Sequence, residues 1–144
     1  MIHLDIETFM VKGQLFGFNK ETTETEVTER LGKGFEVEDY GKNGKYLHYE
    51  NLRFSFSQER LTGMDVFLIN SDKTYECNTP DGIVMINKTT SLLKMLSALN
   101  SLGLKWEIPY AKSKLDYLLI EISSGLKIFY YFEKEVLDSM GMYW

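Results

Sequence analysis

Two histidines, one cysteine and a surplus of carboxylates are the residues of this sequence best suited to chemistry. A zinc-type site needs nitrogen and sulfur donors at short, regular spacing. His3 and His48 have no second histidine or cysteine at such a spacing. A reactive thiol needs an electropositive setting that stabilises the thiolate. Cys77 instead follows Glu76, whose carboxylate would raise the thiol pKa. No serine stands in a Gly-x-Ser-x-Gly turn, and no glycine-rich loop leads into a helix as a phosphate cradle would. One pair, His48 with Asp65, would form a site only if the fold joined two distant positions. The residues therefore predict no catalytic group, no metal site and no cofactor. A binding protein is expected rather than an enzyme.

Carboxylates cluster near the N-terminus. Glu21, Glu24, Glu26, Glu29, Glu36, Glu38 and Asp39 lie within nineteen residues, against Lys20, Arg30 and Lys33. Acids in the first turn of a helix are favoured by its macrodipole, which accounts for Glu24 and Glu26 without any function. Glu36, Glu38 and Asp39 fall outside that helix; a negative surface there would attract a cationic protein. The formal charge is −5, from 21 acidic and 16 basic side chains. That balance disfavours nucleic acid, which needs a basic footprint to displace counterions. It suits a basic protein partner.

These side chains must be positioned by a real core, and the composition supplies one: 44% of residues are hydrophobic and 14% aromatic. No apolar run approaches the ~20 residues that span a bilayer, so no membrane role is expected. The N-terminal residues Ile2, His3, Leu4, Asp5, Ile6 and Glu7 carry two acids and no basic region, unlike a secretory leader. A single cysteine forms no intrachain disulfide, which points to a reducing, cytoplasmic setting.

The chain also repeats itself. The run from Leu15 to Thr22 aligns without gaps on that from Ile83 to Thr90, an offset of 68, and both contain Asn-Lys before helix-capping threonines. Further on, Leu52, Phe54, Phe56, Leu61, Met64, Val66 and Leu68 fall on Ile128, Tyr130, Phe132, Leu137, Met140, Met142 and Trp144 at an offset of 76. In each half a helix follows the Asn-Lys run. Thr23 and Glu26 form a capping box ahead of Val27 and Leu31, with Gly32 and Gly34 as the stop. Leu92, Leu93, Met95, Leu96, Leu99 and Leu102 give the second helix its apolar stripe, ended by Gly103. The period then changes to two. Phe35, Val37, Leu47, Tyr49, Leu52, Phe54, Phe56, Met64, Val66 and Leu68 alternate with polar residues, as do Trp106, Ile108, Leu118, Ile120, Ile122, Ile128, Tyr130, Phe132, Met140, Met142 and Trp144. Such alternation predicts an antiparallel sheet with one buried and one open face. The expected fold is α+β: a tandem helix-plus-antiparallel-sheet module with two helices covering one sheet face. Residues 1–70 would form the first repeat with an N-terminal strand, residues 71–82 a connecting loop, and residues 83–144 the second repeat.

The alternation also says which side chains face outwards. Glu36, Glu38, Tyr46, His48, Arg53, Ser55, Ser57, Asp65 and Phe67 are the first half's share, and Tyr117, Leu119, Glu121, Lys127, Phe129, Tyr131 and Tyr143 the second's. Aromatic residues on an open sheet match the composition of protein interfaces. A cover by residues 2–11, or a homodimer, would explain the same aromatics.

Residues 13–69 resemble small bacterial domains of the β-lactamase-inhibitor-protein and outer-membrane-assembly lipoprotein type. Phe16-Gly17, a short helix from Val27 to Leu31-Gly32, the strand Tyr49-Glu50-Asn51-Leu52 and the apolar hairpin from Phe54 to Val66 carry the likeness. Similar modules occur in tandem among immunity proteins that neutralise bacterial toxins. The resemblance implies an open sheet face that grips a partner. With Cys77 alone and no disulfide, a cytoplasmic immunity protein fits better than a secreted inhibitor. The expected partner is a cognate toxin, a basic nuclease being one candidate. A self-associating assembly module and a small-ligand-binding domain are the alternatives.

Overall fold

Thr23 and Ser91 start the two expected helices in the same way. The Thr23 hydroxyl accepts from the Glu26 backbone N–H (3.2 Å), and the Glu26 carboxylate accepts from the Thr23 N–H (2.8 Å), closing the expected capping box. Ser91 accepts from the Lys94 N–H at 3.2 Å. The chain ahead of each cap is wound alike. The N–H of Asn19 donates to the Thr22 hydroxyl and that of Glu21 to the Asn19 side chain. Asn87, Thr89 and Thr90 repeat both bonds.

The computed structural model describes residues 2–109 and 116–144. Three helices are present among them, α1 (Ile6–Lys12), α2 (Glu24–Leu31) and α3 (Leu92–Ser101). Strands β1 (Glu36–Asp39), β2 (Lys45–Tyr49), β3 (Leu52–Ser57) and β4 (Arg60–Phe67) follow α2; β5 (Tyr75–Thr79) and β6 (Gly82–Ile86) precede α3; β7 (Trp106–Glu107), β8 (Tyr117–Ile122), β9 (Lys127–Tyr131) and β10 (Val136–Tyr143) come last. Eight strands form one antiparallel sheet in the order β1-β2-β3-β4-β10-β9-β8-β7, and β5 and β6 form a separate hairpin. The two halves thus share one continuous sheet, joined where β4 pairs with β10. The class is α+β, as expected.

Four expectations are corrected. The N-terminal strand is helix α1, because Ile6, Phe9 and Met10 recur at helical spacing and all three are buried. Asp5 caps it, accepting from the Thr8 N–H and hydroxyl, and Gly13 ends it at φ 66°. The connecting loop 71–82 contains strand β5 and its turn into β6. Leu93 of the apolar stripe is 80% exposed; Met95, Ala98 and Leu99 carry the burial of α3. The edge residues Phe35 and Val37 lie exposed rather than in the core.

The core is one cluster. Ile6, Phe9, Met10, Val27, Met95 and Leu99 from the helices share it with Leu47, Tyr49, Phe54, Met64, Val66, Ile120, Ile128, Tyr130 and Met140 from the sheet and Cys77 from β5. Residues alternating with these sheet positions face the other way. Two interruptions of the register shape that face. One falls between Ser55 and Phe56 opposite Leu61 to Gly63, the other between Leu137 and Ser139. Each gives its strand one extra residue, Thr62 or Asp138, in the manner of a β-bulge.

The expected offset of 76 does not carry through the register into β9. Phe54 pairs with Met64 and Ile128 with Met140, so Ile128 stands where Phe54 does, an offset of 74 rather than 76. The turn between β9 and β10 runs from Tyr131 to Val136, two residues longer than that between Ser57 and Arg60. Phe132, expected in the core, falls in this turn and is exposed.

Candidate functional site

One row of residues crosses the outward face of the sheet. Paired in register, it runs Glu36, His48, Arg53, Asp65, Gly141, Lys127 and Glu121. Charged partners alternate along it. His48 Nε2 lies 2.7 Å from Glu38 Oε1, Arg53 Nη2 donates to Asp65 Oδ2 at 2.9 Å, and Lys127 Nζ donates to Glu121 Oε1 at 3.2 Å. The suggested pair of His48 with Asp65 does not form. Arg53 stands between them in the register and takes the Asp65 carboxylate with both Nε and Nη2.

Asp65 is the centre of this arrangement and is only 2% exposed. The Tyr143 hydroxyl donates to its Oδ1, while Arg53 holds Oδ2. A buried carboxylate is tolerated only when its oxygens are satisfied in this way. Its charge is therefore spent inside the sheet, on Arg53 and Tyr143. Burial, together with the Asp65 charge, pushes the Tyr143 hydroxyl well above the ordinary phenol range, so it stays protonated as a donor. Two glycines make room for it. A Cβ on Gly141 would strike the Tyr143 hydroxyl and come within 2.7 Å of Asp65 Oδ1; one on Gly63 would lie 3.1 Å from the Tyr143 ring.

Arg53 is also sandwiched by aromatics. Its guanidinium carbon lies 5.1 Å from the Tyr46 ring centroid and 4.9 Å from that of Phe67, both within cation–π range. The second half supplies a ring cluster of its own. Tyr117 and Tyr131 stack with centroids 4.3 Å apart and their hydroxyls 2.5 Å apart, and Phe129 meets Tyr117 edge-on at 6.5 Å. The hydrogen bond with Tyr117, and then burial, raises the Tyr131 phenol to about 12. Between these two groups lies a cleft of about 260 Å³, lined by Arg53, Asp65, Phe67, Tyr117, Leu119, Phe129, Asp138, Ser139 and Tyr143. Asp138 reaches it from the bulge of β10 and accepts from the Ser139 hydroxyl at 2.9 Å. Burial, and secondarily Asp65, raises its carboxyl above the usual range.

Of the expected outward-facing residues, Arg53, Asp65, Phe67, Tyr117, Leu119, Phe129 and Tyr143 line this cleft, and Tyr131 stacks behind Tyr117. Tyr46 and His48 lie to one side on β2, and Glu36 and Glu38 stand at the β1 edge. Hydrogen bonds from Tyr40, and then contact with His48, hold the Glu38 carboxyl below its ordinary value. The apolar residues Ile6, Phe9 and Met10 of α1 are buried in the core cluster and are not among the residues lining the cleft.

Sequence reasoning missed Gly63, Gly141, Asp138 and Ser139. A signal existed for them. Leu61 and Met64, like Leu137 and Met140, are both buried three residues apart, a spacing that breaks the period of two and marks a bulge. A glycine inside a strand marks a close approach.

Cys77 is buried and unbridged, its thiol pushed up to about 11 by burial and then by Glu7 and Asp5. The acids responsible come from α1 and its cap, not from the neighbouring Glu76, because alternate residues of β5 point to opposite sides. Among the described residues no group of three or more histidine, cysteine or acidic side chains is placed to hold a metal ion, and no helix is long and apolar enough to cross a membrane. No protein-family model, curated protein or solved structure matches the chain.

Proposed function

We propose that this protein is a non-catalytic immunity protein that binds a basic toxin in the cytoplasm and blocks it by occlusion. The observation that carries the reading is the partly exposed aromatic group of Tyr117, Phe129, Tyr131 and Tyr143 beside an open cleft on the eight-stranded sheet. Aromatic anchors beside a small pocket, held rigid from beneath, are the pattern that concentrates binding energy in protein interfaces. Exposed Glu36 at the sheet edge and the net charge of −5 favour a cationic partner. The lone, buried Cys77 suits a reducing compartment.

The chain is further read as a tandem duplication with helices on one side of the sheet. Three observations support this. The bonds around Asn19 and Asn87 are the same at an offset of 68. The bulge residues Thr62 and Asp138 fall at equivalent places at an offset of 76. The β4–β10 ladder, from Ser139 opposite Phe67 to Tyr143 opposite Gly63, maps onto itself when the halves exchange, with Asp65 opposite Gly141 at its centre.

A tagged pull-down from the native source, including the products of neighbouring genes, tests the function. One basic protein captured at equal stoichiometry, with affinity falling about tenfold or more for Phe129→Ala and Tyr117→Ala, is the expected result. Capture that is indifferent to both substitutions removes the aromatic face from the mechanism. Recovery of the bait alone, as a dimer, moves that face to self-association.

A further inference from the structure

We propose that the cleft beside Asp138 is a receptor for one cationic side chain, lysine or arginine, presented by the protein partner. This rests on the reading of the face as a protein-binding surface and names the chemistry it selects.

Among the described residues the cleft is one cation short. Of the three charged groups they contribute, Arg53 and Asp65 neutralise each other at 2.9 Å, and Tyr143 completes Asp65 as a neutral donor. Asp138 is left over. It accepts from Ser139, and no described lysine or arginine is paired with it. Its carboxylate lines a space walled by Phe67, Phe129 and Tyr117, whose ring faces attract a cation. The same sheet already holds one guanidinium by this combination, since Arg53 lies over Phe67 and Tyr46 while its nitrogens grip Asp65. Phe129, Tyr117 and Asp138 offer an incoming cation the same two elements, ring and carboxylate. The volume of about 260 Å³ falls below the range typical of cofactor and drug-sized ligands, and it suits a single long side chain.

An ion left in such a place disfavours the folded state. Burial raises the Asp138 carboxyl pKa, the Ser139 hydrogen bond offsets this in part, and the nearby Asp65 charge raises it further. A partner's ammonium or guanidinium would relieve both. The bulge between Leu137 and Ser139 gives the geometric reason that an acid reaches this face, because the extra residue turns Asp138 into the cleft.

The test is an amide NMR titration of the full chain with N-acetyl-arginine amide and N-acetyl-lysine amide, against N-acetyl-citrulline amide as the neutral match for arginine. Saturable shifts at Phe129, Ser139 and Tyr143 with the two cations, absent with citrulline and weakened about tenfold or more in Asp138→Asn, are the expected result. Equal shifts with citrulline, no saturable shift with either cation, or an unchanged response in Asp138→Asn overturns the proposal. A thermal melt of Asp138→Asn at neutral pH supplies the second reading. Because the folded state disfavours the ionised carboxylate, removing the charge leaves the melting temperature equal or higher; a clear fall shows that the carboxylate is already paired. If the probes fail while Phe129→Ala still abolishes partner capture, the binding face stands and only its preference for a cation is lost.

Discussion

Gly141 leaves the space that the central contact of this face occupies. Asp65 is buried, and its two oxygens are divided between Arg53 and Tyr143. Tyr143 reaches it only because position 141, two residues away on the same side of β10, has no side chain to obstruct the hydroxyl. Gly141→Ala should push the ring aside and leave Asp65 short of a donor, destabilising the protein by about 2–3 kcal/mol. Urea unfolding measures this. In a Tyr143→Phe background the hydroxyl is already gone, so the alanine should cost much less, and the double-mutant cycle should show strong coupling. Additive effects would mean that Gly141 acts through backbone freedom alone.

The helices and strands place these residues through local rules applied twice. Thr23 and Ser91 each cap a helix, and Thr23 alone has the reciprocal glutamate. Replacing Thr23 by alanine should therefore cost about 1 kcal/mol, somewhat more than Ser91→Ala, read as a shift of the urea midpoint at constant slope. Equal losses would mean that the Glu26 carboxylate contributes nothing. The bulges at Thr62 and Asp138 have an effect the caps do not: each resets the phase of its strand, so the residues that follow keep the correct face. Without that reset, Asp65 and Gly141 would turn towards the core.

At the scale of the whole molecule, the β4–β10 pairing converts two four-strand groups into one sheet, and one hydrophobic cluster runs beneath it. The halves should consequently unfold together. Both tryptophans, Trp106 and Trp144, lie in the second half, so their fluorescence reports that half while far-ultraviolet circular dichroism reports the whole. Coincident urea transitions by the two probes are expected. Separate midpoints would show that each half holds its own structure and that the central ladder couples them weakly.

Much of this architecture was legible locally. The capping box at Thr23, the stripe through Met95 and Leu99, the alternation of β3 and β4 and the outward set from Tyr46 to Tyr143 depend on neighbours two to four residues apart, and such neighbours fix the local period. Helix α1 was legible too, in Asp5, Thr8 and Gly13, but its seven residues are too short for the period to stand out beside a strand reading. The β9 register slipped because a turn two residues longer leaves no mark on the alternation itself. The pairing of β4 with β10, the burial of Asp65 between Arg53 and Tyr143, and the cleft that Asp138 enters join residues tens of positions apart. Sequence alone determined which side chains share a face. Only the tertiary structure decided which of them touch, because contact across strands depends on register and bulges, and those are settled by the packing of the whole core.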